Sequence, residues 1–211
     1  MDIFKDDLLK KLAFFHYKGF VPCYGDVITG ECPPTANTHI GRTVEKLCEV
    51  EMNNNQTPDY RGIELKSHNL ISKSLITLFA QNPHFFKQEK WIRGDTNKLF
   101  YEWYEDVCKT SEFKNNTVKY RNPNAQGLYL DISDDNSLIE LCDSKGKAYL
   151  SWNINILEDK LSTKFKEGAF IYCDIEHDND GKERFWMKEV TYVKYDSKSI
   201  INSIINNYIS I

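Results

Sequence analysis

The sequence predicts an α/β fold, because helical and strand patterns occur together along one chain of 211 residues. Three observations support this prediction: an amphipathic N-terminal segment, a segment at 63–66 whose apolar and charged residues alternate, and two apolar segments that flank the turn sequence DNDG. Length alone favours one domain, which can be elaborated into two lobes. We therefore expect a single domain over residues 1–211.

The composition is that of a folded protein outside membranes. Hydrophobic residues make up 41% of the chain and aromatic residues 13%, which argues against disorder. No stretch approaches the roughly 18 apolar residues of a membrane span, and the start MDIFKDDLLKKL carries acids where a signal peptide would be basic. We expect a cytoplasmic protein whose six cysteines are reduced and mostly buried.

The net charge of −4 does not favour a general nucleic-acid coat protein, whose surface would be basic overall. It does not exclude an enzyme that cuts DNA. Charges are screened over about 8 Å at physiological salt, so local lysines matter more than the sum. An acidic metal-binding cluster would itself contribute to a negative total.

Two helices and a loop are predicted before the first strand. Residues 2–16 carry apolar side chains at helical spacing, and a second helix is predicted from Thr38, a candidate N-cap, with Glu45 near its centre. The segment KGFVPCYGDVITGECPPTANTHIG, with four glycines and three prolines, is predicted to be a loop. The apolar stripes consist of Phe4, Leu8, Leu9 and Leu12 in the first helix and Ile40, Val44, Leu47 and Cys48 in the second.

The remaining elements follow from the same periodicities. Ile63 and Leu65 alternate with Glu64 and Lys66, which predicts a strand. The apolar run KSLITLFA at 73–80 predicts a buried neighbouring strand, with a short helix as the alternative. The DNDG sequence predicts a β-hairpin. Further strands are predicted near 127–133, 137–143 and 147–152, and helices at 154–166 and 197–207.

The stretch TPDYRGIELKSH contains two acids and a lysine spaced as D-x4-E-x-K. Residues two apart on a strand share a face, so Glu64, Lys66 and His68 are expected to point the same way, with Asp59 entering from a preceding bend. Two converging carboxylates repel one another unless a divalent cation lies between them. Together with the backbone carbonyl of Leu65 they are hard oxygen ligands that suit Mg²⁺ or Mn²⁺ rather than zinc.

Such a cluster could cleave a phosphodiester bond. A bound ion would lower the pKa of water, and Lys66 would orient that water and offset the developing negative charge. The spacing alone is a weak signal. About 0.1 chance occurrences are expected in a chain of this composition, and allowing other spacings between the three residues raises that number severalfold. A solvated strand edge with ordinary surface charges is the alternative.

The run TPDYRGIELKSH, followed by KSLITLF and then NP, resembles the MvaI/BcnI family of restriction endonucleases, whose PD-(D/E)XK site has the same D-x4-E-x-K spacing. The preceding THIGRTVEKL is similar to the G-x-T-x-E helix of that family. The segments GLYLDIS, AYLSWNINILEDKLSTKF and AFIYCDIE are similar to its later strands and helix. The resemblance covers roughly residues 35–211 and is strongest at 57–83.

The resemblance implies a restriction-endonuclease-like α/β fold, a mixed central sheet flanked by helices, and cleavage of double-stranded DNA with Mg²⁺, for which Mn²⁺ can substitute. It makes Asp59, Glu64 and the Leu65 carbonyl the metal ligands and Lys66 the residue that positions water. Two accessory candidates are Glu45, on the preceding helix, and His68, which matches a histidine in family members. For Glu45, a solvent-facing or capping glutamate is the alternative. The implied catalytic core is 35–83 together with 127–195, with a basic, aromatic region at 84–126.

Double-stranded DNA is the partner that the resemblance implies, and the protein is expected to act as a monomer. Family enzymes continue into an Asp-x-Arg strand and a segment rich in His and Arg that contacts bases. The corresponding strand here is NYISI, with Ser210 in place of the acid, so base recognition is expected from elsewhere or from a partner. Candidates for DNA contact are Lys73, Arg93, Lys119 and Arg121. For region 84–126, a solvated loop around a small aromatic core is the alternative.

Other interpretations stay open at this point. The chain could be a MutH-like nuclease that nicks one strand, or a catalytically weak DNA-binding module that needs a partner for target recognition. EHDNDG is better explained as a hairpin turn than as a calcium loop, since Met187 occupies the twelfth position instead of Glu. Cys23, Cys32 and His39 have spacings that match no zinc ligand pairing.

Overall fold

A computed structural model of the chain describes residues 3–24, 39–50, 57–73, 76, 83–86, 118–125, 127–195, 200–206 and 208. In chain order the elements are α1 (Ile3–Lys18), β1 (Val21–Pro22), α2 (His39–Leu47), β2 (Ile63–Asn69), β3 (Phe85–Phe86), β4 (Tyr129–Ile132), β5 (Leu138–Cys142), β6 (Ala148–Asn153), α3 (Ile154–Lys164), β7 (Glu167–His177), β8 (Glu183–Lys194) and α4 (Ile200–Ile205). Among the helices described, none is long and apolar enough to cross a membrane.

The chain divides into two compact units. The first comprises residues 1–79 and 161–196, and the second comprises 80–160 and 197–211. The segment 127–160 therefore differs from its predicted grouping with the catalytic core. Its strands pair with one another and with β3 in a separate sheet, which holds them in the second unit.

The first unit contains a mixed sheet in the order β1-β8-β7-β2. Strand β2 runs parallel to β7, whereas β8 is antiparallel to both β7 and β1. The β7–β8 hairpin confirms the DNDG prediction: Gly181 has a φ of 76°, and Asp178 accepts backbone hydrogen bonds from Asp180 and Lys182. The mixed sheet with its helices confirms the predicted α/β fold class.

Helices α1 and α2 supply the core on one face of this sheet. The stripe prediction holds for Leu8 and Leu12 of α1, which are buried, whereas Phe4 is 46% exposed and lies against Arg61 instead. Fully burying a leucine side chain, as at Leu8 or Leu12, stabilises the fold by about 1.5–3 kcal/mol. The buried cluster consists of Leu8, Leu12, Ile40, Val44, Cys48, Tyr60, Ile63, Leu65, Ala169, Ile171, Cys173, Phe185 and Met187.

The second unit contains an antiparallel sheet in the order β3-β6-β5-β4. The buried residues of its strands include Leu130, Ile139 and Leu150. The strands predicted near 127–133, 137–143 and 147–152 are confirmed as β4, β5 and β6, and the helix predictions at 154–166 and 197–207 are confirmed as α3 and α4. The Thr38 cap and most of the 73–80 and 84–126 predictions fall outside the described residues.

A tight turn immediately before β2 sets the position of Asp59. Tyr60 and Ile63 exchange two backbone hydrogen bonds of 2.8 Å each. The residues between them, Arg61 and Gly62, have φ values of 48° and 95°. Positive φ at both central residues is the backbone condition of a type I′ turn. Asp59 and Glu64 are therefore the next pair across this short hairpin, where side chains directly opposite one another share a face.

We predict that Gly62→Ala destabilises the protein by about 1 kcal/mol or more, because an L-residue is strained at positive φ. No neighbouring atom would contact the added methyl group, so the effect would be one of backbone conformation. The measurement is the midpoint of urea unfolding.

Gly41→Ala is the matched control for this turn variant. Gly41 lies in α2, where an added Cβ would meet only Ser67 Oγ at an ordinary 3.6 Å. This substitution should be neutral or stabilising. Equal stability of the two variants would show that the turn does not depend on glycine.

Candidate active site

The Asp59 carboxylate is held against the motif strand. Its Oδ2 atom accepts a hydrogen bond of 2.9 Å from the backbone N–H of Leu65. The N–H and C=O of one strand residue point to the same side. The Leu65 carbonyl therefore faces the Asp59 side of β2 rather than β7, as a carbonyl ligand in this cluster would require.

Glu64 is a buried carboxylate whose two oxygens have different environments. The residue is only 1% exposed. Oε1 accepts a hydrogen bond of 2.6 Å from Lys66 Nζ and lies 3.4 Å from Lys164 Nζ. Oε2 is buried and has no hydrogen-bond partner. Leaving a buried polar atom unpaired costs about 1–3 kcal/mol, so Oε2 is the position at which a bound cation would remove a deficit.

The burial of Glu64 tests the alternative of a solvated strand edge. Phe165, directly after α3, is 4% exposed and lies with its ring centroid 5.7 Å from Lys66 Nζ. The ring stacks on Phe170 at 6.1 Å between centroids. Gly168 is the β7 partner of Glu64 in the parallel register. A solvated strand edge with ordinary charges is thereby excluded at Glu64.

Three acids are electrostatically coupled at this site. Burial raises the pKa of Glu64, Lys66 and Lys164 oppose that rise, and the charge of Asp59 adds to it. Burial likewise raises the pKa of Glu45 on α2, and the charges of Asp59 and Glu64 contribute further. The structure thus brings Glu45 together with the predicted residues. His68 lies on the face of Glu64 and Lys66, further along β2, and is partly buried.

The donor atoms fit a hard divalent cation. Carboxylates, a backbone carbonyl and an unpartnered buried Oε2 form an oxygen-only set, which suits Mg²⁺ or Mn²⁺. Thiol and imidazole ligands converge elsewhere. In the described parts of the chain, the group of three acid, His or Cys ligand atoms that lie within 4.8 Å of one another is Cys23, His39 and Glu183.

That second cluster does not make a zinc site in this structure. Cys23 is disulfide-bonded, which removes its thiolate as a ligand, and the expectation of a reduced cysteine is wrong at this position. His39 Nδ1 lies 2.8 Å from Glu183 Oε2 in a partly buried hydrogen bond. The reduced, buried state is confirmed for Cys48, Cys142 and Cys173. Cys32 lies outside the described residues.

The DNA-contact candidates are spread over both units. Lys73 is exposed shortly after β2 in the first unit. Lys119 and Arg121 belong to the second unit, where Arg121 Nε donates a hydrogen bond of 2.9 Å to Asp131. The Arg121 side chain remains 63% exposed. Arg93 lies outside the described residues.

Sequence reasoning missed three residues that surround Glu64, namely Lys164, Phe165 as a site residue, and Gly168. Phe165 was assigned only to the apolar stripe of a helix, and Lys164 resembles an ordinary basic residue at a helix end. The available signal was the sequence KFKEG directly before a buried strand. It becomes informative only once that strand is known to pair with β2.

Comparisons with known proteins agree with this geometry. The model of the MvaI/BcnI restriction endonuclease family matches residues 9–210, which confirms the resemblance seen in the motif. The structure "Restriction endonuclease MvaI-cognate DNA substrate complex" has 22% identity and a TM-score of 0.71, covering 98% of this chain and 81% of that chain. This similarity shows the fold. "Restriction endonuclease MvaI in the absence of DNA" has 21% identity and a TM-score of 0.46, covering 98% and 80%. No curated protein is significantly similar.

We predict that Gly168→Ala lowers stability by about 1–3 kcal/mol, the usual cost of overpacking. A Cβ at Gly168 would lie 3.1 Å from two ring carbons of Phe165, so the ring would have to move off the site. Urea unfolding measures the loss. Adding Phe165→Leu to this variant should recover part of it by making room, and a double variant no more stable than the single one would contradict the clash.

We also predict that the metal-free protein carries a stability penalty that grows as pH rises above 4.5. A carboxyl group whose folded pKa is raised binds more protons when folded, so stability is lost as pH increases through the interval between the unfolded and folded values. Glu45→Gln should therefore gain thermal stability relative to the parent as pH rises.

Glu49→Gln is the control for this pH dependence. Glu49 is an exposed acid whose pKa is lowered by a hydrogen bond from Lys11, so its substitution should have the opposite sign. Thermal melts in chelator between pH 4 and pH 8 compare the three proteins. Parallel curves for Glu45→Gln and the parent would contradict the coupling.

Proposed function

Because the chain belongs to the MvaI/BcnI restriction endonuclease family, whose members are type II enzymes that cleave DNA, we propose that Asp59, Glu64 and Lys66 form a Mg²⁺-dependent PD-(D/E)XK site. This site would hydrolyse phosphodiester bonds of double-stranded DNA. The observation that carries the proposal is the buried Glu64 carboxylate, held by Lys66 at one oxygen and unpartnered at the other. The similar structure with a cognate DNA substrate supports duplex DNA as the substrate.

The ligands of the cation would be Asp59, Glu64 Oε2 and the Leu65 carbonyl. Restriction endonucleases generally use a divalent metal, and the oxygen-only donor set favours Mg²⁺, with Mn²⁺ as a substitute. The ion would supply a lower pKa for water and compensation of charge on the phosphate. The N–H of Leu65 keeps Asp59 in place.

Lys66 would act on the nucleophile. Its ammonium group lies at the Glu64 carboxylate. From there it could orient the attacking water and offset the charge that develops on the phosphate. The water oxygen forms a bond to phosphorus while the bond from phosphorus to O3′ breaks, and O3′ takes up a proton. The products are 5′-phosphate and 3′-hydroxyl ends.

Accessory roles follow from position. Glu45, coupled to Asp59 and Glu64, would add a third acid that tunes the charge of the cluster. His68, on the same face of β2, would contact DNA or assist the site. Lys73, Arg93, Lys119 and Arg121 would contact phosphates, and removing each should weaken binding to DNA of any sequence while reducing the salt slope by about 1.

We predict that the purified protein cleaves plasmid DNA with Mg²⁺ or Mn²⁺ and not with chelator. Asp59→Ala, Glu64→Gln and Lys66→Met should each reduce the single-turnover rate by about 100-fold or more, because each removes a group that acts on the developing charge. Asp174→Asn is the matched control, since this carboxylate lies on β7 and forms an ion pair of 3.5 Å with Lys188. It should cleave like the parent.

The form of the product separates the remaining alternatives. Linear DNA with ends of defined sequence would indicate a restriction-type cut, whereas nicked circles that accumulate without linear product would indicate a strand-nicking enzyme. A parent that leaves plasmids of many sequences uncut with either metal, yet binds DNA equally after Asp59→Ala, would contradict the proposed cleavage. That outcome would favour a binding module that needs a partner.

A further inference from the structure

A second lysine reaches the same carboxylate as the motif lysine. Lys164, the last residue of α3, places Nζ 3.4 Å from Glu64 Oε1, and its side chain is 22% exposed. Lys66 Nζ lies 2.6 Å from that same atom and is 24% exposed. Both lysines and Glu64 belong to the first unit. Two cations therefore converge on one oxygen of a buried acid.

The position of Lys164 is fixed by its neighbours. Leu161, three residues earlier, is 2% exposed, and Phe165, the next residue, is 4% exposed. The N–H of Phe165 donates to the carbonyl of Leu161 at 2.6 Å, which ends the helix with Lys164 on its last turn. A lysine that only balanced the helix dipole would project from the helix end into solvent. Lys164 instead lies largely covered and is directed at Glu64.

The two lysines would have different tasks in the reaction proposed above. Lys66 must leave Glu64, at least in part, to reach the attacking water and the phosphate. Its departure would remove the closest counter-charge from a buried carboxylate, which is costly when no other cation replaces it. In the absence of a second cation, Oε1 would then have no counter-charge, and nothing would fix the orientation of the carboxylate.

We propose that Lys164 is a positioning residue of the active site, which holds Oε1 of Glu64 while Lys66 turns to the reacting phosphate. Oε2 thereby stays directed at the cation throughout the reaction. This inference rests on the proposed function. It assigns to α3 a part in catalysis that the D-x4-E-x-K motif does not contain.

The role makes the rate and the affinity for metal respond differently to loss of Lys164. Without it, Lys66 is the sole counter-charge of Glu64 and is retained there, so the rate falls. The cation, by contrast, loses a repelling positive charge from its surroundings and binds at least as tightly. A purely structural lysine would lower stability, metal affinity and rate together.

The experiment compares Lys164→Met, Lys164→Arg and Lys166→Met with the parent. Lys166 is the matched control, because it is an exposed lysine two residues further along the chain and its loss changes net charge equally. Single-turnover cleavage of plasmid DNA is measured at saturating Mg²⁺, binding of Mn²⁺ by calorimetry without DNA, and unfolding by thermal melts.

We expect Lys164→Met to cleave about tenfold more slowly than the parent, as for a lost positioning contact. Its dissociation constant for Mn²⁺ should be unchanged or lower by about threefold, since a nearby positive charge is gone. Lys164→Arg should recover most of the rate, because the charge is kept, and Lys166→Met should resemble the parent in both measurements.

Two results would overturn the role of Lys164. One is a Lys164→Met rate within about twofold of the Lys166→Met rate, smaller than a positioning contact should give. The other is a loss of rate accompanied by weaker Mn²⁺ binding and a lower melting temperature. If the parent itself does not cleave, the proposed function fails, and Mn²⁺ binding decides separately. Tighter binding in Lys164→Met but not in Lys166→Met supports coupling of Lys164 to Glu64, and unchanged or weaker binding in Lys164→Met refutes it.

Discussion

The first unit is organised around the burial of one charge, that of Glu64. A carboxylate removed from water is stable only when nearby groups replace its hydration. Here the replacements come from different parts of the chain: Lys66 from the same strand and Lys164 from the end of α3. Gly168 on the neighbouring strand leaves room for the Phe165 ring that covers the site. Altering any of these groups changes the environment of the same carboxylate.

The turn before β2 joins the core to the site. Tyr60 is 4% exposed in the core cluster, and its hydroxyl donates a hydrogen bond of 2.5 Å to Asp7 of α1. Asp59, one residue earlier, is held on the site by the N–H of Leu65. Adjacent residues of an extended segment point to opposite faces, so the contact that anchors the turn to α1 also fixes the acid that faces Glu64. Four residues separate Asp59 from Glu64: the two central residues of the turn and one further residue on each side of it.

Local features of this fold could be predicted because short stretches of sequence determine them. Alternation at Ile63 and Leu65 located β2, the Asp-Gly pair located the β7–β8 turn, and helical spacing located Leu8 and Leu12. The acids and lysine of the motif could also be found, since spacing and family resemblance both mark them. These signals require only neighbours within a few residues.

Contacts between distant segments could not be predicted in this way. Nothing local indicates that β2 pairs in parallel with β7, about a hundred residues later, and that pairing is what brings Lys164 and Gly168 to Glu64. The assignment of 127–160 to a separate unit depends on strand pairing of the same kind. The disulfide at Cys23 likewise depends on which thiol the fold brings near it.

Alternation of side chains along β2 therefore gives the strand one face for the core and one face for the site. Ile63 and Leu65 join α1 and α2 in the core, whereas Glu64 and Lys66 form the charged cluster on the other face. A slip of one residue in the pairing with β7 would exchange the faces and place both charges in the apolar core. The core thus specifies the register, and the register places the acid next to Gly168, the position that leaves room for Phe165. Stability of the fold and geometry of the site are consequently set by the same strand pairing.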